Sequence, residues 1–247
     1  MTDACQICGS GTSLLDVVDF NKSCEEARGL YLPVLGVPIY YAICDNCDFV
    51  FSPTLCRWPE HRFLSEIYNE DYLRVDPDYA ETRPTQNARM LGELLGGRKA
   101  DVTHLDYGGG NGMLAARLRQ FGWRSQSYDP FPHEQQPISA LGKFDLITAF
   151  EVFEHVPDAR CMMERLEIVA KKDSVILFST LTSDGHLKRN SRIGWWYCAP
   201  RNGHVAIHSR RSLQLLGERH GYRYASLNAG LHVFARAIPT WAACFLR

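Results

Sequence analysis

A glycine-rich turn within residues 104–118 (HLDYGGGNGMLAARL) limits what this chain can fold into more than any other feature. Gly108, Gly110 and Gly112 follow an apolar, strand-like run and precede a helix-like run. Because glycine lacks a Cβ atom, the backbone can turn sharply there and let a ligand come close. The pattern predicts a strand, a tight turn and a helix, with the turn as a candidate ligand site.

A dinucleotide site is one alternative for this turn. Its fingerprint is G-x-G-x-x-G, with the pyrophosphate at the helix N-terminus. From either starting glycine the third would fall on Met113 or Ala115, so the fingerprint fails. Asp106 precedes the turn, and its carboxylate suits a cationic ligand better than a pyrophosphate. On this motif alone, an ordinary strand-to-helix turn without a ligand stays open.

Strand and helix patterns alternate from residue 101 onward, which predicts a mostly parallel sheet with helices on both faces. The last two strands are joined by only a short turn, so we expect an antiparallel strand at one edge. The predicted strands are residues 102–107, 124–128, 144–150, 174–180, 222–227 and 231–235.

The length of 247 residues allows one sizeable domain, or one domain with a small module. The hydrophobic fraction of 45% and the charged fraction of 22% are typical of a globular protein. No apolar run is long enough to span a bilayer, and the first residues lack the features of a signal peptide. Since the nine cysteines are an odd number, free thiols in a reducing compartment are expected. These observations predict a cytoplasmic protein without a membrane partner.

Two cysteine pairs, Cys5-x-x-Cys8 and Cys44-x-x-Cys47, predict a structural zinc site. Strand-like runs flank the second pair, which favours a small ribbon-like zinc-binding module over residues 1–56. A redox dithiol or buried free thiols are alternatives, but two pairs favour zinc. A closed four-cysteine site has no open coordination position, so we assign it no catalysis.

The charge of this module disfavours nucleic acid as a partner. Residues 1–56 carry two basic and seven acidic side chains, a net charge of −5. A zinc ion with four thiolates would add about −2. Because phosphate attraction drives non-specific nucleic-acid binding, such a module would repel RNA and DNA. We expect it instead to pack on a catalytic domain, to help hold substrate or to dock a protein.

Residues 57–100 have helical spacing and predict a helical cap or linker. Arg83 in this segment is a candidate partner for a ligand carboxylate, and simple coverage of the core is the alternative.

Three carboxylates, Asp106, Asp129 and Glu151, lie at the carboxyl ends of predicted strands. Ligands of doubly wound sheets bind at that edge. Asp129 lies 23 residues after Asp106, at the end of the second strand. A carboxylate there can accept hydrogen bonds from both ribose hydroxyls, with a strand-end turn as the alternative.

Four motifs of the chain belong together: LDYGGGNG (residues 105–112), Tyr128-Asp129, FDLITAFEVFEHVPD (residues 144–158) and VILFST (residues 175–180). Together they resemble a class I S-adenosylmethionine-dependent methyltransferase. The resemblance implies a Rossmann-like, seven-stranded, mostly parallel sheet whose last strand is antiparallel, in a domain over residues 101–247. It also implies Asp129 on the cofactor ribose, the glycine turn against the methionine part, and Glu151 near the methionine or the substrate.

The zinc knuckles before such a domain are similar to those of sugar methyltransferases of deoxysugar and surface-polysaccharide pathways. That likeness implies carbohydrate biosynthesis and a sugar, nucleotide-sugar or glycan-like acceptor. The alternatives are an RNA or protein methyltransferase that uses the module to recognise a macromolecule, and a non-catalytic scaffold. The patterns do not distinguish O-, N- and C-methylation.

Methyl transfer to a hydroxyl or a carbon acid requires a general base. His155 follows the 144–150 strand, with Glu154 adjacent to it, and His204 follows the next strand, so all three are candidate catalytic residues. Packing or capping roles are the alternative for each histidine, and their spacing does not demand a metal.

Residues 181–203 are the candidate substrate-binding segment. Its aromatic rings could stack on a sugar or a base, and its arginines could bind a phosphate. A surface loop pinned by buried tryptophans is the alternative. The candidate substrate residues are Trp195, Trp196, Tyr197, Arg192 and Arg201.

Overall fold

A computed structural model describes residues 4–98, 102–131 and 136–246 of the chain. The chain forms two compact units. The first unit comprises residues 1–77, 153–160 and 181–216, and the second comprises residues 78–152, 161–180 and 217–247. No described helix combines the length and the apolar character that a membrane crossing needs.

Ten strands and six α-helices are described. The strands are β1 (Thr12–Asp19), β2 (Pro38–Cys44), β3 (Val50–Phe51), β4 (Thr103–Tyr107), β5 (Arg124–Tyr128), β6 (Phe144–Phe150), β7 (Ala170–Ser179), β8 (Ala206–Ile207), β9 (Arg223–Ser226) and β10 (Leu231–Ala235). The helices are α1 (Glu60–Glu66), α2 (Tyr72–Val75), α3 (Thr82–Leu95), α4 (Met113–Gln120), α5 (Ala159–Val169) and α6 (Arg210–Arg219).

The first unit is built on a four-stranded antiparallel sheet in the order β1-β2-β3-β8. Strand β8 pairs with β3 through Val50 and Ile207, and both side chains are fully buried. The unit that contains the cysteine pairs is therefore larger than the predicted module over residues 1–56. The predicted helical segment over residues 57–100 is also divided, because α1 and α2 belong to the first unit and α3 to the second.

The second unit contains a six-stranded sheet in the order β5-β4-β6-β7-β10-β9. Strands β4, β5, β6 and β7 are parallel, and β10 runs antiparallel to both β7 and β9. The predicted Rossmann-like, mostly parallel sheet with an antiparallel last strand is confirmed.

The strand number differs from the seven that the resemblance implies. Only 15 residues separate Tyr128 from Phe144. A parallel crossover alone requires a dozen or more residues, so this segment is too short for a helix and a further strand. Its described part forms a 3-10 helix at Ile138–Ala140.

Apolar side chains of α3, α4 and the sheet form the core of the second unit. Leu91, Leu114 and Leu118 pack with Leu146 and Val233 in one buried cluster. Periodic apolar positions on α4 therefore hold the helix against the sheet, and this packing determines where the turn before α4 lies.

Candidate active site and metal centre

The glycine turn joins the end of β4 to the start of α4. Gly108, Gly110 and Gly112 have φ values of +71°, +52° and +75°, a backbone region that side-chain-bearing residues rarely adopt. Gly109 is required for a different reason. A Cβ atom on it would lie 2.2 Å from Ser127 Oγ and 2.5 Å from Asp106 Oδ2. The turn is therefore closed against β4 and β5 with no room for a side chain.

Asp129 holds this turn from the end of β5. Its Oδ2 accepts a hydrogen bond from the Gly110 backbone N–H at 2.8 Å, and its Oδ1 accepts one from Phe131 N–H at 3.0 Å. Each carboxylate oxygen has a second lone pair for a further donor. Binding of ribose by Asp129 stays a prediction, but its contact with the glycine turn is a finding that spacing did not indicate.

Asp106 is buried beneath the turn and ends a chain of polar side chains. The Thr148 hydroxyl donates its proton to Asp106 Oδ1 at 2.9 Å, so Thr148 Oγ1 in turn accepts a hydrogen bond from His104 Nε2 at 2.9 Å. His104 Nδ1 then accepts from the Ser125 hydroxyl at 2.7 Å. This arrangement needs a neutral imidazole, and burial lowers the pKa of His104 to about 3. Sequence reasoning missed His104, Thr148 and Ser125, because a polar residue inside a strand resembles a surface position.

Burial also changes the ionisation of Asp106. The pKa of Asp106 is raised to about 7, mainly because burial removes the carboxyl group from water. The Thr148 hydrogen bond opposes this rise, and the charge of Asp129 adds to it. At neutral pH this carboxyl group is thus close to its midpoint, and a nearby cation would favour its ionised form.

Glu151 follows β6 with a φ of +53°, a strained value for a residue with a side chain. Ser179, at the end of β7, stabilises this conformation. Its hydroxyl accepts from Glu151 N–H at 2.9 Å and donates to Glu151 Oε1 at 2.6 Å. Backbone strain of this kind occurs preferentially at functional sites. The predicted contact of Glu151 with the cofactor is consistent with that tendency and stays a prediction.

Tyr79 reaches the glycine turn from the segment before α3. A Cβ atom added to Gly110 would lie 2.7 Å from the Tyr79 hydroxyl, so the phenol lies directly over the turn. Asn111 adds a hydrogen bond from its Nδ2 to the Ala80 carbonyl at 2.8 Å. Arg83 is the second residue of α3, and its proposed contact with a ligand carboxylate stays a prediction.

The four predicted zinc ligands lie together in the first unit. The Sγ atoms of Cys5 and Cys47 are 3.7 Å apart, and those of Cys8 and Cys44 are 3.4 Å apart. Tetrahedral ligands at the usual Zn–S distance would be about 3.8 Å apart. The hydrogen bond from Cys47 lowers the pKa of Cys5 to about 5, which favours a thiolate. The donor set and its spacing fit a structural zinc ion.

A surrounding set of polar contacts orients this cysteine cluster. The backbone N–H groups of Asn46 and Cys47 point at Cys44 Sγ, at 3.4 Å and 3.5 Å. Arg189 donates to the Cys44 carbonyl at 2.6 Å and to Asp48 at 2.9 Å. A cation of the 181–203 segment is therefore used to hold the knuckle.

The structure brings the three candidate catalytic residues together in the first unit. Glu154 and His155 lie in a 3-10 helix at Phe153–His155, and His204 follows a second one at Pro200–Asn202. The imidazole centroids of His155 and His204 are 4.9 Å apart. One donor atom from each of the three side chains lies within 4.8 Å of the others. Glu154 and His204 are buried, and His155 is half-buried.

Backbone carbonyls and a tyrosine hold this Glu154–His155–His204 cluster. The Tyr197 hydroxyl donates to Glu154 Oε1 at 2.5 Å. His204 Nδ1 lies 2.7 Å from the Tyr197 carbonyl oxygen, and His155 Nδ1 lies 3.2 Å from the Gly203 carbonyl oxygen. Because a carbonyl only accepts, both contacts place a proton on Nδ1. The Cys24 thiol lies 4.0 Å from His204 Nε2. Their catalytic roles stay predictions.

Most of the predicted substrate residues have structural partners instead. Trp195 and Tyr197 are buried, with exposed fractions of 9% and 2%, and Trp196 is half-buried. Arg201 is also buried and donates to the Ile67 carbonyl at 3.2 Å. These contacts disfavour stacking on a sugar or binding of a phosphate by this set. They agree with the alternative of a loop pinned by buried aromatic residues.

Arg192 contributes to the same structural role. Its Nη1 lies 2.9 Å from Asp16 Oδ1, and the neighbouring Ile193 N–H donates to Asp16 Oδ2 at 2.8 Å. These bonds attach the 181–203 segment to β1. The Arg192 side chain is nevertheless 88% exposed, and its contact with a substrate stays a prediction.

Comparison with known proteins assigns the family. A family model described as a methyltransferase domain matches residues 79–227. The ubiquinone biosynthesis O-methyltransferase of Psychrobacter arcticus is 32% identical over 97 residues, which are 37% of each chain. That of Cronobacter sakazakii is 28% identical over 132 residues, 52% of this chain and 54% of the relative. The chain thus spans about a third to a half of the length of these relatives.

A solved structure supports the fold. The match to the structure of the mitomycin 7-O-methyltransferase covers 73% of this chain and 61% of that protein, with a TM-score of 0.50 and 13% sequence identity. The sugar-pathway part of the sequence resemblance, and with it carbohydrate biosynthesis, finds no support in these matches. Because the family model covers more than half of the chain, this protein belongs to the methyltransferase-domain family, as its resemblance to class I S-adenosylmethionine-dependent methyltransferases predicted.

Proposed function

We propose that this protein transfers a methyl group from S-adenosylmethionine to a hydroxyl group of a small-molecule acceptor. The observation that carries the proposal is the glycine turn closed between two carboxylates, Asp106 and Asp129. S-adenosylmethionine is cationic at its sulfonium and its amino group. A buried carboxylate beside a glycine-rich turn suits such a ligand, since the cation stabilises the ionised form.

The second unit supplies the methyl donor site in this proposal. Asp129 holds Gly110 from the end of β5, and a carboxylate oxygen can accept more than one hydrogen bond, so we assign the ribose hydroxyls to Asp129. Methyl transfer is an in-line displacement in which the positive charge on sulfur is lost. The enzyme therefore contributes mainly positioning and exclusion of water, rather than covalent chemistry.

We assign deprotonation of the acceptor to the Glu154–His155–His204 cluster. A hydroxyl becomes a competent nucleophile as its proton leaves, and positioned groups of this kind contribute about 10²- to 10⁴-fold to such steps.

The acceptor is proposed to be a phenol- or quinol-like molecule rather than a sugar. Arg201 and Trp195, on which a phosphorylated sugar would depend, are buried in internal contacts. The relatives with the cited matches are O-methyltransferases of ubiquinone biosynthesis. Both observations favour an apolar acceptor with an acidic hydroxyl group.

An acceptor screen tests this proposal directly. The full chain is incubated with methyl-labelled S-adenosylmethionine and matched panels of catechols, hydroquinones and nucleotide sugars. We expect label in the phenolic products. Label in the nucleotide sugars would contradict the acceptor class, and a calorimetric titration without S-adenosylmethionine binding would contradict the methyl donor itself.

The affinity for S-adenosylmethionine is expected to rise with pH and to level off above about pH 7. The cationic cofactor favours the ionised form of Asp106, and the pKa of Asp106 without ligand is about 7. Below that pH, binding of the cofactor must therefore release the Asp106 proton. The raised pKa also affects the fold without cofactor. As the pH rises from about 4 to 7, the folded chain still holds this proton while the unfolded chain has lost it, so the free energy of unfolding decreases. Calorimetry from pH 5.5 to 8.5 measures the slope. Asp106→Asn keeps an acceptor for the Thr148 hydroxyl and should remove the part of this pH dependence that Asp106 contributes. An identical slope in this variant would exclude Asp106 as the group that titrates.

His155→Ala is expected to lower the turnover number about 100-fold or more while leaving the dissociation constant of S-adenosylmethionine within about twofold. The reason is that His155 belongs to the acceptor cluster, whereas the proposed donor site uses the turn between Asp106 and Asp129. Steady-state kinetics with an acceptor from the screen, together with calorimetry, separates the two effects. The exposed His61→Ala is the matched control. Normal turnover in His155→Ala would remove this residue from the mechanism.

A further inference from the structure

We propose that Glu154, His155 and His204 bind a divalent cation of the Zn²⁺ class, distinct from the four-cysteine site, and that this cation holds the acceptor oxygen. The inference rests on the proposed function, because it specifies how the same cluster would deprotonate the acceptor.

The donor set is that of a catalytic rather than a structural metal. Two imidazoles and one carboxylate leave a coordination position open for water or substrate. One donor atom from each residue, which for a histidine is either ring nitrogen, lies within 4.8 Å of the others. Tetrahedral ligands at the usual Zn–N distance would be about 3.3 Å apart. The donor atoms would therefore have to move closer by up to about 1.5 Å around an ion.

Both imidazoles are held in the tautomer that a metal requires. His204 Nδ1 faces the Tyr197 carbonyl at 2.7 Å, and His155 Nδ1 faces the Gly203 carbonyl at 3.2 Å. The Tyr68 oxygen, 3.1 Å from His155 Nδ1, can share that proton as a second acceptor. Histidine ligands almost always donate their other ring N–H to a carbonyl or a carboxylate, which fixes the ring and leaves Nε2 for the metal.

The carboxylate ligand is oriented in the same way. Glu154 is fully buried, and the Tyr197 hydroxyl donates to its Oε1. A carboxylate removed from water is stabilised by hydrogen bonding and by coordination to a cation. Tyr197 therefore serves the cluster twice, because its hydroxyl orients Glu154 and its carbonyl orients His204. This explains its burial better than a stacking role does.

The chemistry follows from the open position. A divalent cation lowers the pKa of a bound hydroxyl, as it does for bound water. An acceptor hydroxyl bound at that position would lose its proton to water. Methyl transfer to its oxygen would break the S–CH₃ bond and leave the electron pair of that bond on sulfur. The products are the methyl ether, S-adenosylhomocysteine and the released proton, without any oxidation or reduction.

Cobalt(II) titration tests the site without relying on activity. The probe is Co²⁺ added to the full chain with its four-cysteine site already filled with Zn²⁺, followed by visible absorption and metal analysis. We expect one further equivalent of Co²⁺. His155→Gln should weaken its binding at least about 100-fold, because a ligand is lost and not merely its orientation. The exposed His61→Gln should bind it as the wild type does.

Folding of the variants is followed separately, because His204 is buried and its substitution can unfold the unit. His155 is half-buried, so His155→Gln is the primary variant, and an unchanged zinc content reports an intact first unit. Glu154→Gln provides a second ligand substitution that keeps the shape of the side chain.

Two outcomes would overturn the metal site: no further equivalent of Co²⁺, or equal binding by wild type and folded His155→Gln. Two other outcomes separate it from the proposed function. Binding of Co²⁺ by a chain that transfers no methyl group would retain the site and remove the function. Full methyl transfer after a weak chelator has removed the second ion, with the four-cysteine zinc retained, would overturn the catalytic role of the cation.

Discussion

Cys44→Ser is expected to lose the zinc ion of the four-cysteine site and to unfold the first unit. Cys44 is the last residue of β2 and is buried, so its thiolate would link the metal directly to the four-stranded sheet. Structural zinc sites contribute about 10–16 kcal/mol of apparent binding free energy. That range exceeds or matches the whole stability of a typical domain, about 5–15 kcal/mol.

Metal analysis and hydrogen exchange measure the two parts of this prediction. Zinc content should fall from the wild-type value, and amides of β1 and β2 should lose protection while those of β4 and β6 keep it. The matched control is Cys56→Ser, which removes a half-buried thiol of the same unit outside the cluster. A wild-type zinc content or an unchanged exchange pattern in Cys44→Ser would contradict a structural zinc.

The strands of the second unit were predictable because apolar runs there are short and end at polar or glycine residues. The predicted runs 124–128, 144–150 and 231–235 coincide with β5, β6 and β10. Strand β7 is longer than predicted, since it begins at Ala170 rather than Ser174. Its first residues are mostly polar, and only pairing of Ala170 with Phe144 extends the strand, which no local pattern reveals.

The composition of the first unit could not be derived in this way. It combines three separate stretches of chain, and β8 has only two residues. Such a strand is determined by its long-range partner and not by its own propensity. For the same reason spacing could name Glu154 and His204 as candidates but could not place Tyr197 between them, 43 and 7 residues away.

The substrate residues illustrate a different limit. Aromatic and basic residues in a long segment have the composition of a binding loop, but composition does not indicate exposure. Long cationic side chains also bury their stems against apolar surface. Arg189, Arg192 and Arg201 each find carboxylates or carbonyls within the first unit, and the segment thereby becomes part of its scaffold.

Asp129→Ala is expected to weaken S-adenosylmethionine binding about 100-fold or more. The substitution removes the acceptor of the Gly110 and Phe131 backbone N–H groups, and hydrogen bonds to a charged group contribute about 1.5–3 kcal/mol each. A hydrogen bond of this kind from a ribose hydroxyl to Asp129 would be lost from the cofactor-bound form alone, and its loss accounts for most of a 100-fold change, about 2.7 kcal/mol. Calorimetric titration of the folded variant measures the loss. The exposed Asp173→Ala should bind the cofactor normally.

Asp129→Asn separates the hydrogen bonds from the charge. The amide oxygen can still accept one backbone N–H, so we expect a loss of about tenfold, between Asp129→Ala and the wild type. The charge of Asp129 also raises the pKa of Asp106, and its removal should lower that pKa. The pH at which cofactor affinity levels off should therefore shift below about 7 in Asp129→Asn. An unshifted midpoint would mean that the two carboxylates do not act on the same ligand, and wild-type affinity in Asp129→Ala would remove Asp129 from the donor site.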